Sequence, residues 1–314
     1  MFGPLGLPAL IAYNARRGLE LDAEPHCVQR LTDSGVPAPV RRPRPWFHRV
    51  CSVRHVIDER LIGGLHVEVL RKADLVGEHD PHVVFQTATV SALFDGRFDG
   101  DVTFAELAQH GDLGLGTLDA LDGEMVALDG RFLRADVDGH LNDVDPAAKT
   151  PFAVMTWFSP DVSFALDAPL DHDRFVAEVN RHAPPGSPSC AVRIDGAFEH
   201  VHARSVPRQH RPYPSLAEAA AAQHEFELDD VEGTMVGFRF PEYAEGLEVA
   251  GYHLHFVDAE RRRGGHVLSC RPRSVTVQVD HAGDLHMELP PGVEMPATAT
   301  DAERAEVRRV EGDH

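Results

Sequence analysis

From Cys190 onward, apolar and polar residues trade places at every second position. The runs "CAVRIDGAFEHVHARSV" (Cys190–Val206), "GTMVGFRFP" (Gly233–Pro241), "GYHLHFV" (Gly251–Val257), "GHVLSC" (Gly265–Cys270) and "SVTVQVD" (Ser274–Asp280) predict strands. Helical periodicity is scarce in this half. The preceding part is more mixed. "HVVFQTATVSALFDG" (His82–Gly96) is β-branched and apolar, predicting one buried strand that ends at the turn-like Asp95-Gly96. "DVTFAELAQH" (Asp101–His110) predicts a short helix in which Thr103 caps and Glu106 completes a capping box. A Gly-rich loop then feeds a hairpin turning at Asp129-Gly130. "TPFAVMTWF" (Thr150–Phe158) is a further strand, and "DHDRFVAEVNRHA" (Asp171–Ala183) a helix closed by Pro184, Pro185 and Gly186.

These elements predict an α+β (α/β) chain of two domains, each on a mixed or antiparallel sheet and divided near Pro184–Ser189. The N-terminal domain takes 60–185 and a β-rich C-terminal domain 186–290, followed by a tail over 291–314. There is no regular βα alternation and no internal repeat. A length of 314 residues, 43% of them hydrophobic, is ample for a buried core.

Composition changes the picture at the N-terminus. The first 55 residues hold eight arginines, no lysine, four acids and seven of the 23 prolines. Their net charge of +4 leaves −24 for the remainder, within a total of −20. A basic, proline-rich extension over 1–59, poorly ordered, fits this composition; so does a start codon assigned too far upstream. The acidic total argues against nucleic acid and anionic membrane as partners. An anionic substrate would need local positive charge. The four cysteines (Cys27, Cys51, Cys190, Cys270) contain no CxxC pair, which argues against a thiolate metal site. No apolar run approaches a membrane span, and the start lacks the basic region of a signal peptide, so the cytoplasm is the expected location.

The candidate chemistry lies in "GYHLHFVDAERRRGGHVLSC" (Gly251–Cys270). With 20 histidines in the chain, about one His-x-His is expected by chance. His200-Val-His202 is another. Along a strand, His253 and His255 share one face while Tyr252, Leu254 and Phe256 take the other. The chain turns at Gly264-Gly265 and returns. A hairpin register with His266 opposite His255, or two residues off, adds a third imidazole to that face. Three nitrogen ligands with a free position is the arrangement of catalytic zinc. Polar, solvent-facing strand residues are the other reading, and Arg261 to Arg263 read as a solvated turn tip.

The blocks "FQTATVSALFDGRFDGDVTFAEL", "HGDLGLGTLDALDGEMVALDG", "KTPFAVMTWF", "HARSVPRQHRPYP", "GTMVGFRFPEY" and "GYHLHF…GGHVL" occur in this order. Together they resemble bacterial acetolactate decarboxylase, from about residue 62 to the C-terminus. The resemblance implies two α/β domains, a homodimer, and one zinc held by His253, His255 and His266 on the C-terminal sheet. It also implies active-site roles for Glu124 in "LDGEM", Arg204 in "HARSVP", Thr117 in "GLGT" and Glu311 in "RVEGDH", the last on a short match. On composition alone the tail is a frayed, solvated end; the resemblance has it fold back to the zinc. "GLGT" lacks the spacing of a phosphate loop and reads as a tight turn that lets Glu124 and Thr117 approach the metal.

The implied substrate is 2-acetolactate, and the implied products are acetoin and CO2. Loss of CO2 leaves an enediolate whose negative charge is the main barrier, which a Lewis acid would lower. Arg204 would then meet the carboxylate or developing oxyanion with its planar donors. Glu124 and Glu311 are candidate proton donors, or groups that position water on the zinc. Judged without the resemblance, Arg204 reads as a surface charge beside Arg208 and Arg211. A water-activating zinc hydrolase and a non-catalytic metal-binding β protein are the alternatives.

Overall fold

The structure is a computed structural model, and it describes residues 56–75, 79–183 and 188–295. Strands carry the fold; the longest helix among the described residues has 11 residues. The first sheet has nine strands. It comprises β1 (Val56–Ile62), β2 (Leu65–Leu70), β3 (Val83–Thr87), β5 (Leu113–Thr117), β6 (Glu124–Leu128), β7 (Arg131–Ala135), β8 (Leu141–Asp143), β10 (Ala153–Thr156) and β16 (Asp284–Glu288). Their order is β1-β2-β16-β3-β10-β5-β6-β7-β8. β16 runs parallel to both of its neighbours and the other pairs are antiparallel, so this sheet is mixed. A small ribbon pairs β4 (Val102–Thr103) with β9 (Lys149–Thr150). The second sheet is antiparallel and joins β11 (Val162–Leu166), β15 (Gly264–Ala282), β12 (Ser189–Ser205), β13 (His224–Phe240) and β14 (Gly251–Asp258), in that order. A further pairing of β14 with β15 closes it on itself. Both sheets lie within one compact unit.

Side-chain alternation sorts the core into layers. Val84, Leu115, Val126 and Val154 of the first sheet meet Val236, Phe238, Phe240 and Val257 of the second. Their sequence neighbours Phe85, Met125, Ala127 and Met155 point to the far face of the first sheet, against Phe104 and Leu107. Tyr252, Leu254 and Phe256 point to the far face of the second sheet, where Phe175 and Val179 of a helix (His172–His182) cover it. Each large apolar side chain buried this way contributes about 1.5–3 kcal/mol. Because β5, β6 and β10 are covered on both faces, their residues are buried throughout.

Several local expectations hold. Helix α2 (Phe104–Leu107) follows α1 (Val90–Phe94) in the chain, and Thr103 and Glu106 form the capping box at its start. The β6–β7 hairpin turns at Asp129 (φ 54°) and Gly130 (φ 72°), and the two positive φ values match the twist of the flanking strands. The 172–182 helix, α3, begins where Asp171 accepts from the Arg174 N–H. The fourth helix, α4, spans Leu216–Ala220.

Others are corrected. The apolar run His82–Gly96 is not one strand: Ala88 turns to φ 60° after β3, and Thr89 caps α1 by accepting from the Ala92 N–H at 3.2 Å. Both halves are buried, so periodicity carries no signal to tell them apart. "GLGT" is not a turn but β5, a strand inside the sheet; the turn follows it, at Leu118–Gly123, where Ala120, Leu121 and Gly123 take positive φ. "GHVLSC" and "SVTVQVD" form a single strand, β15, with Pro272 between them at an irregular register opposite Phe198, where a missing N–H is tolerated. Residues 56–59, placed in the extension on composition, form the first half of β1. β11 and α3 precede the expected boundary, yet β11 joins the second sheet and α3 packs on it, and β16 returns to the first. Residues 184–187, where the boundary was drawn, lie outside the described residues, as do residues 1–55 and the tail from 296. Arg261 and Arg263 are not a free tip: Arg261 donates to Asp129 at 2.7 Å, and Arg263 lies over the Phe226 ring. Among the described residues no helix is long and apolar enough to cross a membrane.

Candidate active site

The register of the second sheet assembles the histidines. β14 and β15 pair with His255 directly opposite His266. On its other side His266 stands opposite Arg204 of β12. Directly opposed residues share a face, so Arg204, His266 and His255 form a row across three strands, with His253 two residues along from His255. The ring centroids lie 5.0–5.4 Å apart. One ligand atom from each imidazole falls within 4.8 Å of the others, and all three residues are buried. Solvent-facing strand histidines are therefore excluded: this face is covered by the first sheet. His200 and His202, by contrast, make surface pairs with Asp229 and Glu225 at 2.8 and 3.0 Å.

β6 of the first sheet lies across the histidine face. His255 Nδ1 is 2.8 Å from the Met125 carbonyl oxygen. A carbonyl only accepts, so Nδ1 carries the proton and Nε2 presents a lone pair. That Nε2 is buried without a hydrogen-bond partner, 3.7 Å from Glu124 Oε2. Burial first, then the neighbouring His253 and Arg204, holds His255 well below the usual imidazole range and so neutral. A neutral, oriented imidazole with an unused buried lone pair has the form in which histidine can bind a metal. The donor set fits zinc.

Glu124 faces the histidines because it shares the inward face of β6 with Val126. Its Oε1 accepts from Arg204 Nη1 at 3.0 Å, and the two side chains are only 9% and 4% exposed. Arg204 is thus not a surface charge; Arg208 and Arg211 are, pairing with Asp122 and Asp99. Thr117 stands opposite Glu124 across the β5–β6 pair, and its hydroxyl donates to the Gly123 carbonyl at 2.8 Å. The β5 glycine beside it is required by space: a Cβ on Gly116 would strike the Phe152 carbonyl of the segment leading into β10.

Thr117, Glu124, Arg204, His253 and His266 line one cavity, partly open to solvent. Its remaining wall is apolar, including Leu93 of α1, Phe152 and Leu216 of α4. The arrangement offers a cationic guanidinium, a carboxylate and a nitrogen-ligand set against a largely apolar wall. Six of the seven residues singled out in the sequence meet here; the seventh, Glu311, lies outside the described residues. Two participants had no sequence signal: the Met125 backbone carbonyl, and Glu248, whose Oε1 is 3.3 Å from His253 Nδ1.

Comparison with known proteins agrees in kind, over a shorter stretch than residue 62 to the C-terminus. The family profile described as Alpha-acetolactate decarboxylase matches residues 84–297. The alpha-acetolactate decarboxylase of Methylococcus capsulatus is 49% identical over 212 residues, 68% of this chain and 82% of that protein. The one from Klebsiella aerogenes is 40% identical over 213 residues, again 68% and 82%. The crystal structure of alpha-acetolactate decarboxylase from Bacillus subtilis strain 168 superposes with a TM-score of 0.70 at 36% identity, covering 74% of this chain and all (100%) of that one.

Proposed function

The chain belongs to the alpha-acetolactate decarboxylase family and is a decarboxylating lyase, and from that premise we propose that it turns 2-acetolactate into acetoin and CO2 at the three-histidine face, with zinc as its resident metal. The observation that carries the site assignment is the buried His255 Nε2 lone pair, turned toward the face that holds His253, His266 and the Glu124–Arg204 pair.

Zinc, when bound by His253, His255 and His266, supplies a Lewis acid for the oxygen on which charge develops. The remaining work falls to the chain's own residues. Arg204 is the buried cation lining the cavity that takes the substrate carboxylate, or the oxyanion that replaces it, within an acidic protein. Its planar fork can keep one donor on Glu124 and turn others to the ligand. Thr117 spends its proton on Gly123, so its oxygen faces the cavity as an acceptor for a substrate hydroxyl. Glu124 is the proton donor to the enediolate carbon or the group that positions water; Glu311 is the other candidate for that role. Protonation from the one face that Glu124 occupies makes the acetoin chiral. The apolar wall takes the substrate methyl groups and excludes water.

The proposal includes a homodimer in the cytoplasm. The exposed apolar residues Ile57 and Leu61 on the edge strand β1 support an assembly interface. Light scattering should then return twice the chain mass of 34.5 kDa. Metal analysis tests the site: about one zinc per chain in the wild type and a large loss in His266→Ala. Full zinc in that variant would remove the hairpin assignment.

A further inference from the structure

Glu248 lies in the connection between β13 and β14 and is 1% exposed, flanked by Leu247 and Val249 at 3% and 4%. A carboxylate in such a setting carries a large desolvation cost unless something on the spot compensates it. Its Oε1 is 3.3 Å from Nδ1 of His253. The connection is fastened to β3 and α1 rather than loose. The Leu247 carbonyl accepts from the Val90 N–H at 3.0 Å and from Gln86 Nε2 at 2.7 Å. The Gly246 carbonyl accepts from the Ser91 N–H at 3.3 Å and the Ser91 hydroxyl at 3.0 Å. Glu248 is therefore held in place from a second element, independently of the histidine it meets.

We propose that Glu248 is a positioning residue for the metal site: its carboxylate accepts the Nδ1–H of His253 and commits Nε2 of that ring to the ion. An ionised carboxylate only accepts, so the contact selects the tautomer, as the Met125 carbonyl does for His255. The negative charge also makes the imidazole a stronger donor and partly balances the metal's charge inside the core. The inference rests on the reading that the three histidines hold zinc.

The test uses the full-length, zinc-loaded protein titrated with a competing chelator. Wild type is compared with His266→Ala, Glu248→Leu, Glu248→Gln and Glu248→Asp. Glu248→Leu should bind zinc about 10–100-fold more weakly, Glu248→Asp should recover part of the loss, and the melting temperature of the zinc-free proteins should stay near wild type. Cobalt-loaded Glu248→Gln should show shifted visible absorption, a readout of the ligand field that holds even if the leucine variant folds poorly. Wild-type zinc affinity in Glu248→Leu, or unshifted cobalt bands in Glu248→Gln, overturns the inference while leaving the three-histidine site intact. A wild type that binds no more zinc than His266→Ala sinks both.

Discussion

Arg204 owes its place to register alone: it stands opposite His266, and its partner Glu124 comes from the other sheet, 80 residues away in the chain. Removing one member of a buried ion pair leaves the other uncompensated, at about 3–5 kcal/mol. Arg204→Ala is thus expected to lose stability and activity together. Arg204→Lys keeps the charge and loses the fork, so kcat/KM should fall roughly 10²-fold with a melting temperature close to wild type. Unchanged kcat/KM would place Arg204 outside the reaction. Glu124→Gln and Glu311→Gln, compared by turnover, separate the two candidate donors: the true acid should cost roughly 10²–10⁴-fold. At this scale the sequence was most readable where spacing itself encodes direction. His253 and His255 share a face because strands alternate, and His266 follows from a short turn. Arg204, Glu124 and Thr117 came through family resemblance, since pairings across long separations leave no local periodicity. Glu248 left no trace, because a glutamate in a loop looks solvated until the fold buries it.

Among the elements, the β6–β7 hairpin sets Glu124 over the histidines, and two glycines show how differently backbone geometry can be constrained. Gly130 takes φ 72°, and a Cβ added there would meet no atom within 4 Å, so Gly130→Ala should cost only the left-handed penalty of about 1–2 kcal/mol. Gly116 has no such room, because the Phe152 carbonyl fills it. Gly116→Ala should push β5 from β10 and cost both stability and kcat. Denaturant melts of the two variants check the ordering, and equal losses would contradict it. The hairpin was legible from Asp129-Gly130 because that dipeptide supplies positive φ. The strand nature of "GLGT" was not, since glycine chosen for close strand approach looks the same in sequence as glycine chosen for a turn.

At the scale of the whole molecule, β16 returns late in the chain to lie between β2 and β3 and carries a buried acid into the first sheet. Glu288 is 1% exposed and accepts from the Thr87 hydroxyl at 2.8 Å, yet desolvation outweighs that bond and raises its pKa above 4.5. A carboxyl that holds its proton more tightly when folded stabilises the fold below its unfolded pKa. That contribution is lost as pH rises through the window between the two values. Glu288→Gln removes the titration and keeps an acceptor for Thr87. Its melting temperature relative to wild type should climb as pH rises from about 4.5 and then level off; a difference independent of pH would contradict the assignment. The two-sheet layout was readable in outline from the change in periodicity along the chain. The exchange of β11 and β16 across it was not, because strand order is set by packing between distant segments.

On the proposed reading, one buried constellation removes CO2 from 2-acetolactate with the help of a metal held by three histidines. The most direct measurement follows CO2 and acetoin together, from purified protein given 2-acetolactate, before and after zinc is stripped and restored. Equal amounts of CO2 and acetoin, lost on stripping and regained with zinc in the wild type but not in His255→Ala, are expected. Acetolactate left intact, or turnover untouched by zinc removal or by His255→Ala, would contradict it.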